Sequence, residues 1–396
     1  MSSQDRFKID GHKMALHPQR AAAWLAAKDD WEKAKEIFPI YVEIGPVGYC
    51  NHECTFCGVD YMLDRPEKPR ISEETMMATL TDMAEHGVLS VMFAGAGEPL
   101  LYKPLAESIL HADRVGIDTS ITTNAALLSE AFCRKAFHAK RLRWIKASVN
   151  AGDAQTYAKI HRTKPEDFER VLHNLERAVQ VRRELGSDVT IGAQLVALPE
   201  TEGQHKRSLL REQHPSNIHT ITPFAKRLRD IGVDYLVVKP YSQHLMSQDT
   251  RVYEGMTYKS AREWVEEARA ISTNSFSVVV RYETMENWDA EERGYDKCHA
   301  TPYHWAYLEA DGEVWGCSAY LGREENGVQY GNDRFRYGNV NASSFSEIWR
   351  GDRRRANWEY VRTELNIEQC RKNCRMHQVN LYLEHLAHPG PHDTFI

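Results

Sequence analysis

Residues 40–58 read IYVEIGPVGYCNHECTFCG, and this stretch decides the fold. An apolar, β-rich run over Ile40–Gly45 predicts a strand, and a loop carrying Cys50, Cys54 and Cys57 follows it directly. The spacing is three residues, then two. Three thiolates on one short loop can hold three corners of an iron–sulfur cube. A structural metal site normally closes its coordination, whereas a catalytic site keeps a position open. Here the fourth iron has no local protein ligand and is free for a small chelate, such as the amino and carboxylate groups of a methionine. A zinc ion borrowing a distant His or Cys is the other reading the residue types allow. His52 and Glu53, inside the loop, are expected to shape it.

Working outward, apolar runs recur at Ser90–Gly95, Asp118–Asn124, Trp144–Asn150, Thr190–Leu198 and Tyr235–Pro240. Helix-period segments lie between most of them, the clearest at Glu73–His86, Leu105–Val115, Ser129–Ala139 and Pro165–Leu185. In the last, Phe168, Val171, Leu172, Leu175 and Val179 make one apolar face. Strands alternating with helices predict an α/β fold with a parallel sheet covered on both faces. Six βα steps fall short of an eight-stranded barrel and suit a partial one. In such folds the reactive loops lie at the C-terminal ends of the strands. Cys50, Gly95–Glu98, Asn124 and Asn150 all fall there.

The chain has 396 residues, with 50 basic against 56 acidic, a net charge of −6. No basic excess points to nucleic acid. No apolar run reaches the roughly eighteen residues of a membrane span, and the N-terminus lacks a signal-peptide core. The expectation is a soluble, cytoplasmic protein. In a reducing compartment its clustered cysteines read as metal ligands before disulfides. Cys133 stands apart and reads as a small buried hydrophobe.

At CNHECTFC the sequence resembles the radical S-adenosylmethionine (SAM) superfamily, whose hallmark is CxxxCxΦC; the aromatic is Phe56. The resemblance implies a partial (β/α)6 barrel and a SAM-binding [4Fe–4S] cluster held by Cys50, Cys54 and Cys57. It implies reductive cleavage of SAM to a 5′-deoxyadenosyl radical, which abstracts a hydrogen from substrate. It also implies a one-electron donor such as flavodoxin or ferredoxin. The second strand ends FAGAGEPL, Phe93–Leu100. Gly95, Ala96, Gly97 and Glu98 look like the family's GGE motif, which holds the SAM amino group, with Ala96 where a second glycine is common. Thr122, Thr123 and Asn124 on strand three, and Ser148 and Asn150 on strand four, fall where the family contacts cofactor or substrate.

Tyr307–Trp315 (YLEADGEVW) predicts a hairpin with Asp311-Gly312 at the turn, the pair a type I′ turn favours. Gly- and Asn-rich loops follow over residues 321–340, then a short helix at Ser344–Arg350. Cys298, thirteen residues, Gly312, four residues and Cys317 resemble the SPASM/twitch signature. YGNV…SSFSEIW (Tyr337–Trp349) resembles the same family's GN…EIW segment. Cys370 and Cys374 offer a second pair, so the resemblance implies a second, auxiliary [4Fe–4S] cluster of the shorter twitch type. Four thiolates on a structural zinc are the alternative. The expected organisation is an N-terminal helical extension (1–38), a radical SAM partial barrel (39–285), and a small twitch/SPASM-like hairpin-plus-helix domain with the C-terminal tail (286–396).

The expected function is redox modification, such as dehydrogenation, of a small polar substrate of the sugar or aminocyclitol kind. Modification of a peptide or protein side chain is the alternative. Many peptide modifiers carry a winged-helix module ahead of the barrel, and the 49 residues before Cys50 look helical. An alcohol substrate needs a proton acceptor; Lys146, Lys239, Tyr241 and His244 are the candidates.

Overall fold

The computed structural model describes residues 7–9, 12–63, 67–199, 201–205, 211–214, 216–242, 247, 249–251, 258–289, 293–325, 328–371 and 373–395. Its centre is one ten-stranded sheet. The strands are β1 (Tyr41–Ile44), β2 (Ser90–Phe93), β3 (Asp118–Thr123), β4 (Leu142–Ser148), β5 (Thr190–Ala197), β6 (Tyr235–Pro240), β7 (Ser277–Val280), β8 (Trp305–Leu308), β9 (Glu313–Trp315) and β10 (Arg336–Asn339). Their spatial order is β7-β6-β5-β4-β3-β2-β1-β8-β9-β10, and every pairing from β7 to β8 is parallel. The six expected strands are all present as the partial barrel. Two more flank them. β7 extends one edge, and β8, expected as half of a separate hairpin, pairs in parallel with β1 at the other. An open edge of β1 exposes backbone N–H and C=O groups, and β8 satisfies them.

The register separates two faces. Val42, Ile44, Val91, Phe93, Ile121, Ile145, Ala147, Ile191, Ala193, Leu195, Leu236 and Val238 point out against the helices and are fully or almost fully buried. The alternate positions, including Glu43, Thr122, Lys146, Ser148, Gln194, Lys239 and Tyr307, point into the barrel. The inner face mixes these polar residues with the buried apolar side chains of Met92, Val196, Val237 and Val279.

Local chemistry sets the helix starts. Ser72, Ser129 and Asp153 accept from backbone N–H groups one turn ahead, at 3.0, 3.2 and 2.8 Å, opening α1 (Glu73–Glu85), α2 (Glu130–Ala136) and α3 (Ala154–His161). α4 (Glu166–Leu185) buries Phe168, Val171, Leu172, Leu175 and Val179 as the period requires. Ser344 caps α5 (Phe345–Arg350) with a full capping box to Glu347.

The β8–β9 turn differs from expectation. Gly312 has φ +91°, Asp311 does not have positive φ, and Gly312 N–H donates to Glu309 O at 2.9 Å. This is a four-residue turn over Glu309–Gly312 whose last residue is left-handed, and Glu309 N–H closes the hairpin on Glu313 O at 2.9 Å. Residues 321–340, expected as loops, include a short hairpin (Arg323–Glu325 with Val328–Tyr330) and β10.

The N-terminal helices (Pro18–Ala27 and Trp31–Ala34) pack with the C-terminal helix α6 (His377–Ala387) in a second apolar cluster of Trp24, Ala27, Tyr303, Trp358 and Leu383. Arg354, fully buried, knits these parts together. Its guanidinium donates to the carbonyls of Pro302, Trp349, Ala34, Ile37 and Lys35 at 2.7–3.4 Å and stacks on Trp349 at 4.2 Å. Among the described residues no helix is long and apolar enough to cross a membrane.

Candidate active site

The cysteine loop is held by the end of a helix. The last carbonyls of an α-helix lack intrahelical donors. At α3 those of Ile160 and His161 take the N–H groups of Thr55 (2.9 Å) and Glu53 (3.3 Å). The chain reaching the loop is pinned from β2, because Glu98 N–H donates to Tyr49 O at 3.0 Å. Gly97, at φ +150°, makes this approach possible: a Cβ there would sit 2.3 Å from Val47 O and 2.7 Å from Tyr49 O. Gly95 likewise leaves no room, since its Cβ would meet the Tyr307 hydroxyl at 2.1 Å. Ala96 between them is buried.

Cys50 Sγ accepts from His52 N–H at 3.4 Å and faces Asn124 Nδ2 at 3.9 Å. Cys54 Sγ lies 3.1 Å from His161 Nδ1. His161 Nε2 lies 2.7 Å from Val149 O, which only accepts, so the proton is on Nε2 and Nδ1 takes the Cys54 thiol. Burial, and then His52, hold the His161 pKa down to about 3, so the ring is neutral. Burial pushes the Cys50 thiol up to about 11, with Glu98 adding to it, and raises Cys54 well above the usual thiol range. Without a metal the thiols keep their protons; iron must displace them.

Glu98 is buried beneath the loop. Its carboxylate accepts from Thr123 Oγ1 (2.6 Å), Asn124 N–H (2.8 Å) and Leu100 N–H (3.0 Å). A carboxylate offers about four acceptor positions, so one remains for an ammonium donor. Burial raises its pKa against these three bonds. Glu98, Thr123, Asn124 and the cysteine loop are thus one connected unit, with Asn124 Nδ2 also donating to Asn51 Oδ1 at 2.8 Å. Phe56 packs on Ile160, Val196, Leu198 and Tyr241 and meets His161 edge-on at 5.4 Å.

The other expected residues divide. Ser148 faces the lumen and accepts from Asn150 Nδ2 (3.0 Å) and Gln194 Nε2 (3.4 Å). Asn150, at φ +59°, ties β4 to β5 through Val196 N–H (2.9 Å), while Asn217 bridges Asn150 O and Val196 O. Thr122 Oγ1 lies 3.4 Å from Met92 Sδ. Lys146 and Lys239 are on the inner face. Tyr241 lies in the apolar cluster around Phe56, and His244 falls outside the described residues. The sequence reading missed His161, Asn373 and Arg375. Asn373 Nδ2 donates to Tyr241 O beside β6, and Arg375 pairs with Glu43 on β1. This segment spans the open side of the partial barrel.

Cys298, Cys317, Cys370 and Cys374 converge beside β8 and β9. Burial raises the Cys298 thiol to about 11 and also raises Cys317 and Cys370; Cys374 is the first cysteine to add to each. Asn380 Nδ2 faces Cys298 Sγ at 3.8 Å, and the Tyr320 hydroxyl faces Cys370 Sγ at 3.1 Å. Tyr307, Trp315, Leu321 and Phe335 surround the group.

The donor spacing tests the metal. A tetrahedral zinc with Zn–S near 2.3 Å places sulfurs ~3.8 Å apart. Among the described residues the one group of three His, Cys, Asp or Glu donors within 4.8 Å of one another is His52, Cys54 and His161. Three thiols on one loop, and four more beside β8 and β9, are the donor sets that two iron–sulfur cubes would take.

A family model described as the radical SAM superfamily matches residues 44–208, and one described as an iron–sulfur cluster-binding domain, SPASM, matches residues 298–375. The chain belongs to the radical SAM superfamily. Within it, the second match places it among members with a SPASM domain. It is 32% identical over 116 residues to an S-adenosylmethionine-dependent nucleotide dehydratase of Lacinutrix mariniflava, 28% of this chain and 24% of that one. It is 37% identical over 91 residues to the PqqA peptide cyclase of Bradyrhizobium diazoefficiens, 23% of each. The chain thus matches about a quarter of these relatives' length. The fold is similar to SuiB of Streptococcus suis bound to S-adenosylmethionine, with TM-score 0.62 and 17% identity over 96% of this chain and 81% of that one.

Proposed function

We propose that the enzyme carries out a redox modification, such as dehydrogenation, of a small polar molecule held inside the barrel. One observation carries this: Thr122, Lys146, Ser148 and Gln194 point into a lumen whose side Asn373–Arg375 closes, and Lys146 also lines a cavity of about 650 Å³. That volume lies within the usual range of roughly 300–1,000 Å³ for small-ligand sites. When bound, the cluster and SAM supply a 5′-deoxyadenosyl radical for hydrogen abstraction, and an auxiliary cluster supplies an electron acceptor. Cys50, Cys54 and Cys57 would hold the first cluster, Glu98 the SAM ammonium, and Cys298, Cys317, Cys370 and Cys374 the second. Thr122, Ser148 and Gln194 offer hydrogen bonds to substrate hydroxyls. Flavodoxin or ferredoxin fits the need for a one-electron donor.

The stretch shared with PqqA peptide cyclase favours a second reading, radical modification of a peptide. An anaerobic assay separates the two. The reconstituted enzyme with SAM and dithionite is given either the ultrafiltrate or the retentate of a source-cell extract, and 5′-deoxyadenosine is counted. The small-molecule reading expects stimulation by the ultrafiltrate that survives protease treatment. Stimulation by the retentate alone, abolished by protease, would overturn it.

A further inference from the structure

The inner wall of the barrel gathers basic side chains from several strands. Lys146 on β4 and Lys239 on β6 both point inward, as the register with Ser148, Gln194 and Val196 requires. Arg281, just past β7, and Arg375, on the closing segment, join them; all four act in one another's fields. The acid acting on Lys146 and Lys239 is Glu43, and it is already engaged. Arg375 pairs with it, and the Tyr41 hydroxyl donates to it at 3.1 Å. Lys146 Nζ lies over the Trp144 ring at 5.1 Å. Neither Lys146 nor Lys239 has a carboxylate or hydrogen-bond partner among the described residues.

Composition does not explain this, because the chain as a whole carries −6. Enclosed ammonium groups are normally paired, since withdrawing them from water is costly. The cost is visible here: burial, and then Arg375 and Arg281, pull Lys146 down to about 8, and burial and then Lys146 pull Lys239 well below the usual lysine range. Two inward-pointing cations without a counter-ion among the described residues, Lys146 on the cavity wall and Lys239 within its field, are the arrangement a bound anion completes. We infer that the substrate carries an anionic oxygen group, a phosphate or a carboxylate, and that Lys146 and Lys239 bind it inside the barrel. This rests on the reading of the lumen as the substrate chamber. It narrows the substrate from polar molecules in general to acids and phosphate esters.

The test is calorimetric titration of the anaerobically reconstituted holoenzyme, with SAM present and no reductant, using inorganic phosphate in one series and malonate in another. Wild type is expected to bind at least one of them, and the one it prefers tells phosphate from carboxylate. Lys146→Gln and Lys239→Gln are each expected to weaken that binding by about tenfold, the worth of one charge-assisted hydrogen bond. Iron content and SAM affinity stay at wild-type levels. A wild type that binds neither anion, or variants that bind as wild type does, would overturn the inference. So would variants that lose SAM affinity instead, because the lysines would then serve the SAM carboxylate. Formation of 5′-deoxyadenosine is scored separately on the same preparation, so a failure of the radical chemistry is not mistaken for a failure of anion binding.

Discussion

A single methyl group at residue 97 should remove the SAM-binding cluster and leave the other in place. In Gly97→Ala the new Cβ would start 2.3 Å from Val47 O and 2.7 Å from Tyr49 O. Carbon–oxygen contacts settle at about 3.3 Å or more, so the Val47–Tyr49 backbone must retreat by about 1 Å. The backbone is also held at φ +150°, a region that costs a side-chain-bearing residue about 1–3 kcal/mol. Overpacking adds about 1–3 kcal/mol, for a total near 2–6 kcal/mol. The retreat breaks the Glu98 N–H to Tyr49 O bond and carries Cys50, the next residue, with it. Ligand constellations tolerate about 0.5 Å. Gly116→Ala is the control: φ is +93° there, yet nothing lies within 4 Å of its Cβ. The assay is iron per chain after anaerobic reconstitution, with SAM binding measured alongside. Wild type and Gly116→Ala should hold about eight irons and Gly97→Ala about four. A Gly97→Ala protein with eight irons and wild-type SAM affinity would refute the reasoning.

Three further outcomes follow from the same structure. Cys298→Ala/Cys317→Ala should lower iron from about eight to about four per chain while SAM binding persists; unchanged iron would remove the second cluster. Lys146→Met should stabilise the metal-free protein at pH 7 by about 1–2 kcal/mol in urea unfolding. The drop from 10.5 to about 8 corresponds to about 3 kcal/mol at most, reduced by cavity water and by the lost Trp144 contact. Between pH 8 and 10.5 the unfolded chain keeps a proton the folded lysine has released, so wild-type stability rises with pH there, and the gap to the variant should close. A gap that widens across that window would contradict the lysine's placement. Arg354→Met should cost about 4 kcal/mol by the same unfolding measurement, because it orphans buried carbonyls of Ala34, Ile37, Pro302 and Trp349; a loss under about 1 kcal/mol would place Arg354 at the surface.

What the sequence disclosed and what it hid divide by range. Cys50, Cys54 and Cys57 lie within eight residues, so spacing alone proposes them as ligands. The six barrel strands were legible because one face of each is an apolar run, as in Ile191, Ala193 and Leu195. The pairing of Trp305–Leu308 with β1 was not, because it joins residues more than 250 positions apart and leaves no local mark. His161 was hidden among 18 histidines; its role comes from the α3 end meeting the cysteine loop. Lys146 and Lys239 were singled out in the sequence as proton acceptors, but their shared field needs the sheet register to be seen. Arg354 reads as one of 50 basic residues until its five carbonyl partners are assembled from both ends of the chain.

The central claim is a cluster at Cys50, Cys54 and Cys57 that passes one electron to bound SAM. Its most direct measurement is 5′-deoxyadenosine formed from SAM and dithionite, without oxygen, by wild type and by Cys50→Ala/Cys54→Ala/Cys57→Ala. The account predicts product from wild type and none from the variant, which still retains the iron of its second site. Equal product from both, or wild-type protein that carries zinc in that loop and makes none, would contradict it.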